Sequence, residues 1–562
     1  MAVGGGVEVQ VMKQGRWITE ATRDNEAGAR QLLPKFLADK SCDGVRLVRS
    51  SLNRDGSSNE TVIFEQKQGA NRGPVRINHI ESAPPRCDKP RDYFGLESRM
   101  TINRIFRTYL EDVCLTPAEL LHSRKELQRI QDKDTLVASA VDLVASLQTK
   151  DGGLTPKQRR DEMFASLEQI IAQARRAEAL TLPKLGNRFS DSIAGVAGIG
   201  GESPEYLGMV VLSRELIGTR NWLGKLDRLC KLAAAETHPQ ANLMLDAVIA
   251  DVLGANVVQE ILGWQPSLGS AIISMLDLAD GKFDAQKSDA KEITDLLNRL
   301  FAANRLPASR FCMIDRALRQ LRSPNPLNRS NPAKEMEEYQ RVLARLLTPD
   351  GLLSGSQCAE ALTVRGTRFV EQGGAAGRRA AITATVRALP DRACGVMYLS
   401  ELTKTDLAKD HLGDIIKQLD NVFSARVIGE LCRRSLSPKE RMVTATGAFN
   451  AAVSSALPDP IKQKVTEHID GVLERYLLDE NIIEKLDSPD AHLRDRAVRL
   501  VKFCGAAVLP EGKALSLARH RVVELLRQPK FDANFVEGIG DPAKAEKALR
   551  DFHQLLVKAG FG

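Results

Sequence analysis

The sequence predicts a mainly α protein, an irregular helical array or α-solenoid, preceded by a small α+β domain of β-β-α-β-β order. Three observations carry this. Aromatic residues are only 5% of the 562, and Ala and Leu dominate, a composition that favours packed helices over sheets. From about Ser98 onward apolar residues recur at steps of three and four, the period of a helix with one buried face. Ahead of Lys67 the pattern alternates instead, as in Val7, Val9 and Val11, which is the period of a strand. The chain is too long for one hydrophobic core, so two to four units of roughly 100–200 residues are expected.

Taken in order, residues 1–67 form the α+β domain. Val7 to Val11 give a first strand, "GRWITEA" returns as a second, and "NEAGARQLLPKFLADK" reads as a helix with Ala29, Leu32, Leu33 and Phe36 inward, although Pro34 argues against one regular helix. "VRLVRSSLNRDGSSNETVIFEQK" supplies two more strands around a turn at Asp55 and Gly56. A module of about sixty residues is only marginally stable alone, so docking to the rest of the chain or to a partner is expected. Residues 68–95 are rich in Pro, Gly and charge without sustained period and read as a solvated linker. Helical segments fill 96–322 and 333–562, with "SPNPLNRSNP", 323–332, as the joint between two helical domains.

The helices share a start signal. Ser or Thr followed by Pro, usually after Leu, recurs as "LTPAE", "LTPKQ", "LTPDG", "LSPKE" and "DSPDA". In three of these the pairs Thr116 with Glu119, Thr155 with Gln158 and Ser437 with Glu440 have the spacing of a reciprocal capping box. In "LDSPDAHLRDRAVRLVKFCGAAVLP", residues 486–510, Ser488 is expected to cap and Pro489 to open a helix. Leu493, Ala497, Leu500, Cys504 and Val508 then share one face. This stretch resembles the second helix of a HEAT/armadillo-type repeat at Pro489, Asp490, Leu493, Arg494, Ala497 and Leu500. The resemblance implies that 333–562 is a HEAT-like stack of helix pairs with an extended surface for another protein. The boxes are unevenly spaced and no fixed period holds over three units, so an irregular array stands beside that reading.

Chemistry-bearing motifs are few. The eight histidines include no pair at i and i+4, and no cysteines have the short spacing of a structural zinc site, so no metal is expected. "GTRNWLGKL", 218–226, has its glycines one residue too far apart for a phosphate loop and Leu226 where Ser or Thr is needed, so it reads as an interhelical turn. "GVAGIGG", 195–201, lacks the glycine order of a dinucleotide fingerprint. Asp280 and Asp284 do not complete a calcium loop, since Leu278 stands where a ligand is required. One speculative anion site remains in "EQGGAAGRRAAITATVRAL", where Gly374, Gly377, Arg378 and Arg379 open a helix whose N–H groups and guanidinium groups face the same end. The alternative is a glycine-containing turn with both arginines in solvent. No catalytic residue and no cofactor site is selected.

The net charge of +7 across 79 basic and 72 acidic residues is ordinary solvated surface. Nine scattered cysteines, several on apolar helix faces, suit buried free thiols in a reducing compartment. No apolar run approaches membrane-spanning length and the first residues lack an apolar signal core. A cytoplasmic protein without membrane insertion is therefore expected. Its leading role is a non-enzymatic scaffold or regulatory adaptor with a protein partner. A nucleic-acid-associated helical protein and an enzyme with a site assembled from distant residues are the alternatives.

Overall fold

In the computed structural model the described residues are 6–13, 16–39, 42–52, 58–67, 75–133, 135–150, 152–288, 290–370 and 373–561. The fold is mainly α with one small four-stranded sheet near the start. Two compact units divide it, Met1–Gln265 with Ser274–Arg316, and Pro266–Ile273 with Ala317–Gly562. The division falls inside the Pro307–Arg322 helix, ahead of the expected joint at 323–332.

In the first unit, β1 (Val7–Lys13), β2 (Arg16–Arg23), β3 (Gly44–Leu52) and β4 (Ser58–Lys67) pair antiparallel in the order β2-β1-β3-β4. Val9 faces Leu47 and Val11 faces Val45 across β1 and β3, and all four are buried. The helix expected after β2 is two short ones, α1 (Glu26–Arg30) and α2 (Leu33–Ala38), with Pro34 in the first turn of the second. There its missing N–H costs nothing, whereas in mid-helix it would break a hydrogen bond. The turn at Asp55 and Gly56 lies outside the described residues.

The sheet docks onto helices of its own unit. Arg16 Nη2 donates to the Ile217 carbonyl at 3.1 Å, the Thr19 N–H donates to the Arg220 carbonyl at 3.0 Å, and Arg16 ion-pairs with Glu126 at 3.6 Å. On the same side Arg46 stacks over Trp17 at 4.5 Å and donates to buried Gln10 at 2.8 Å. Residues 68–74 of the expected linker lie outside the described residues; most of 75–95 is exposed, but it is pinned to the helices at several points. Val75, Ile77 and Ile80 press on helical core clusters, Cys87 is buried, and Gln148 and Arg159 donate to the carbonyls of Pro84 and Cys87 at 2.9 Å each. Composition marked this stretch as solvent-facing because its apolar residues keep no period.

The three capping boxes form as expected at Thr116, Thr155 and Ser437. Two other boxes do not start helices. "LTPDG" becomes a tight hairpin, Leu347–Thr348 against Gly351–Leu352, where Gly351 takes φ +148°. "DSPDA" is a turn, and the helix begins later, at Leu493, capped by His492, whose ring accepts from the Arg494 N–H at 3.2 Å. Asp487 is withdrawn into two ion pairs, with Arg496 at 2.8 Å and with Arg521 at 2.5 Å. Ala497, Leu500 and Cys504 are buried on the expected face, but the helix stops at Gly505 and Val508 lies beyond it.

In the second unit helices pair in sequence: Ser356–Gly366 with Gly374–Ala388, Arg392–Leu402 with Leu407–Leu419, Pro438–Val453 with Asp459–Asp479, and Leu493–Gly505 with Lys513–Leu526. The first helices of the first three pairs pack on one another in turn, and the second helices of the first two pairs do likewise.

Several helix starts borrow their caps from other helices. The first N–H groups of a helix lack intrahelical acceptors. Asp246 supplies acceptors to Ala308 and Ser309 at 2.6 and 2.9 Å, Asp251 to Ala118 at 3.0 Å, and Asp470 to Lys513 and Ala514 at 2.6 and 3.1 Å. Gly512, the residue ahead of the Lys513–Leu526 helix, has no side chain because a Cβ there would meet Asp470 Oδ2 at 2.4 Å.

Candidate functional site

Four buried charges meet where α3 (Leu96–Ile105) and the helices Pro117–Leu121, Trp222–Ala235 and Pro239–Leu253 pack together in the first unit. Lys225 and Glu119 are both fully buried. Lys225 Nζ donates to Glu119 and, at 2.7 Å, to the Cys114 carbonyl, while Glu119 Oε2 accepts the Thr116 N–H at 2.8 Å. Charges removed from water need this degree of pairing, since desolvation otherwise exceeds the Coulomb gain. The second pair is looser. Asp251 Oδ2 accepts from Ala118, but Oδ1 lies 3.6 Å from Arg99 Nε with no hydrogen bond to either atom. Burial pushes the Asp251 carboxyl up to about 6, against the pull of Arg99 and the Ala118 N–H.

Arg99 also borders a cleft of about 380 Å³ lined by Phe94, His122, Tyr206, Met209 and Met244. His122 sits one turn past the box at Thr116, and its Nδ1 lies 2.7 Å from the Ala118 carbonyl. A carbonyl oxygen only accepts, so Nδ1 carries the proton and Nε2 is an acceptor. Burial lowers the imidazole to about 4, which keeps it neutral at pH 7. Its ring lies 4.9 Å from Phe94 and 5.2 Å from Tyr206, and Phe94 meets Tyr206 edge-on at 5.8 Å. Tyr206 is buried, and its hydroxyl has no hydrogen-bond partner. Arg91 and Glu205 stand exposed at the rim. The cleft thus combines an apolar aromatic clamp with a buried cation and a neutral acceptor.

The residues selected from sequence lie elsewhere, in the second unit. Gly374 opens the Gly374–Ala388 helix at φ +62°, Gly377 is buried, and Arg378 is exposed. Arg379 lies 2.9 Å from Asp414, which also meets His411 at 3.3 Å. The four residues do share one helix end, but the Arg379 charge is balanced by Asp414. Of the other motifs, Lys225 of "GTRNWLGKL" is the buried cation described above, and Asn221 caps its helix by accepting from Gly224. Asp280 pairs with Arg310 at 2.9 Å, and Asp284 caps a short turn through the Gln286 N–H. All nine cysteines are free and buried. Desolvation raises the thiols of Cys114 and Cys504 to about 11 and of Cys358 to about 12, which leaves little thiolate at neutral pH. Among the described residues no group of three or more His, Cys, Asp and Glu could hold a metal ion.

Sequence reasoning missed the cleft because its polar groups come from residues 99, 122 and 206, each inside an ordinary helical pattern. The one local signal was a histidine on an otherwise apolar helix end, "AELLH". Comparison of the chain with protein-family models, with curated proteins and with solved structures finds no match.

Proposed function

We propose that the chain is a non-enzymatic cytoplasmic adaptor whose paired helices in the second unit, 356–526, engage another protein. The observation that carries this reading is the sequential pairing itself. Adjacent pairs pack through like helices, so successive units leave their outer helices and connecting turns as one extended surface, as in helical-repeat binders. The HEAT-type reading of 486–510 belongs to this proposal, with its helix starting at Leu493. The fate of the chemistry-bearing groups supports it further. Buried acids such as Asp246, Asp470 and Asp487 serve helix ends and ion pairs, and the cysteines are sealed in the core. Sealed free thiols also support a reducing compartment. No helix among the described residues is long and apolar enough to cross a membrane.

The test is chemical crosslinking of the tagged full chain in native lysate, half of it nuclease-treated, followed by mass identification of linked peptides. The expected result is one protein partner, unaffected by nuclease, linked to residues within 356–526. Links confined to the first unit would overturn the assignment of the surface. Association that vanishes with nuclease would give the role to nucleic acid instead, because phosphate contacts would then carry it.

A further inference from the structure

We propose that the cleft of the first unit binds a small planar carboxylic acid that also carries a hydrogen-bond donor. This inference is independent of the adaptor reading, since it concerns different residues and a different class of ligand. Arg99 is 3% exposed, yet among the described residues its guanidinium makes no hydrogen bond; its nearest carboxylate, Asp251, stays at 3.6 Å, and Asp246, which also feels its charge, is committed to Ala308 and Ser309. A buried guanidinium has five N–H donors to satisfy, and Asp251 already commits one oxygen to Ala118. A ligand carboxylate takes up such a guanidinium by two parallel hydrogen bonds. One underpaired cation matches a monoanion, whereas a dianion would bring a second buried charge without a partner.

The remaining walls define the rest of the molecule. His122 presents a neutral acceptor that no protein donor reaches, and the Tyr206 hydroxyl is buried without a partner. A ligand O–H or N–H can meet the His122 acceptor, while the Tyr206 hydroxyl is sealed inside the wall behind its ring. Phe94, the His122 and Tyr206 rings, Met209 and Met244 surround the same space, which suits a flat apolar body. The volume of about 380 Å³ falls in the range of small-molecule pockets.

The experiment is calorimetric and saturation-transfer NMR titration of the full chain with 4-hydroxybenzoate, 4-hydroxybenzamide and benzamidine. These share a ring and differ in charge at one end. The acid is expected to bind, the neutral amide at least about tenfold more weakly, and the cation not at all, since losing a charge-assisted pair is worth at least a factor of ten. Arg99→Gln should abolish acid binding. Because Arg99 touches Asp251, the first variant could unfold the unit, so Ala247→Leu serves beside it. Ala247 is half-buried in the cleft wall, and the larger side chain should block binding while circular dichroism and the unfolding midpoint stay unchanged. Failure of the acid to bind, equal binding of all three compounds, or undiminished binding by a folded Ala247→Leu protein would each overturn the proposal.

Discussion

Replacing Lys225 by Met tests the buried pair beneath the cleft. The substitution keeps the apolar stem and removes only the ammonium. Glu119, 0% exposed, would keep one backbone donor, Thr116, for a full negative charge, and the Cys114 carbonyl would lose its donor. Breaking a buried pair from one side costs about 3–5 kcal/mol. Glu119→Gln should cost a similar amount by stranding the lysine, although its amide oxygen can still accept from Thr116. With both changes together neither position leaves a stranded charge, and the loss should fall to about 2 kcal/mol, the scale of two ordinary hydrogen bonds. The singles therefore overshoot the double by about 4 kcal/mol or more, above the usual range of couplings between contacting residues, roughly 0.5–3 kcal/mol. Urea unfolding followed by tryptophan fluorescence is the assay, since Trp17, Trp222 and Trp264 all lie in the first unit and report it alone. Additive losses, or a Lys225→Met protein within about 1 kcal/mol of the parent, would refute the reasoning.

Other outcomes follow from neighbouring geometry. His122, lowered to about 4, contributes stability above its unfolded value that is lost as pH falls through 4, while Asp251, raised to about 6, contributes stability that is lost as pH rises through 6. Between pH 6.5 and 4 the two oppose each other, so Asp251→Asn should uncover a loss of about 3 kcal/mol that the parent does not show, read from urea midpoints across that window. A pH dependence identical to the parent's would count against the assignment. Asp470→Ala should cost about 1–2 kcal/mol by uncapping the Lys513–Leu526 helix, with hydrogen exchange faster at the Lys513 and Ala514 amides than elsewhere in that helix. In a thiol assay with an aromatic disulfide the native chain should react at fewer than one of its nine cysteines and at all nine in guanidinium, and rapid native labelling would contradict their burial.

What the sequence made legible is what neighbouring residues decide. The boxes at Thr116, Thr155 and Ser437 were readable because cap and partner lie three residues apart. Val7, Val9 and Val11 were readable because alternation is a local pattern. Ser488 misled for a tertiary reason, since the Asp487 beside it is drawn into ion pairs with Arg496 and Arg521, the latter thirty-four positions away. "LTPDG" misled because the glycine closing it permits a hairpin that the motif alone does not reveal. Within 75–95 the anchoring contacts were hidden because Val75, Ile77 and Ile80 reach apolar partners from extended chain, with no period to betray them. The cleft was the least visible, because Arg99 acquires its character from Asp251 and His122 from its burial, and neither is written beside it.

The borrowed caps also set a clock on synthesis. The acceptor for the Ala118 N–H is Asp251, which follows 133 positions later in the chain. At about 5–20 residues per second a ribosome needs roughly 7–27 s to cover that span. During that interval the start of the Pro117–Leu121 helix has its own Thr116 box and water, and Glu119 waits nearly as long for Lys225, 106 positions downstream. The nascent segment therefore holds an acidic, half-finished turn in solution until the later helices emerge, so this part of the protein is completed by the chain's middle and cannot be finished from its beginning.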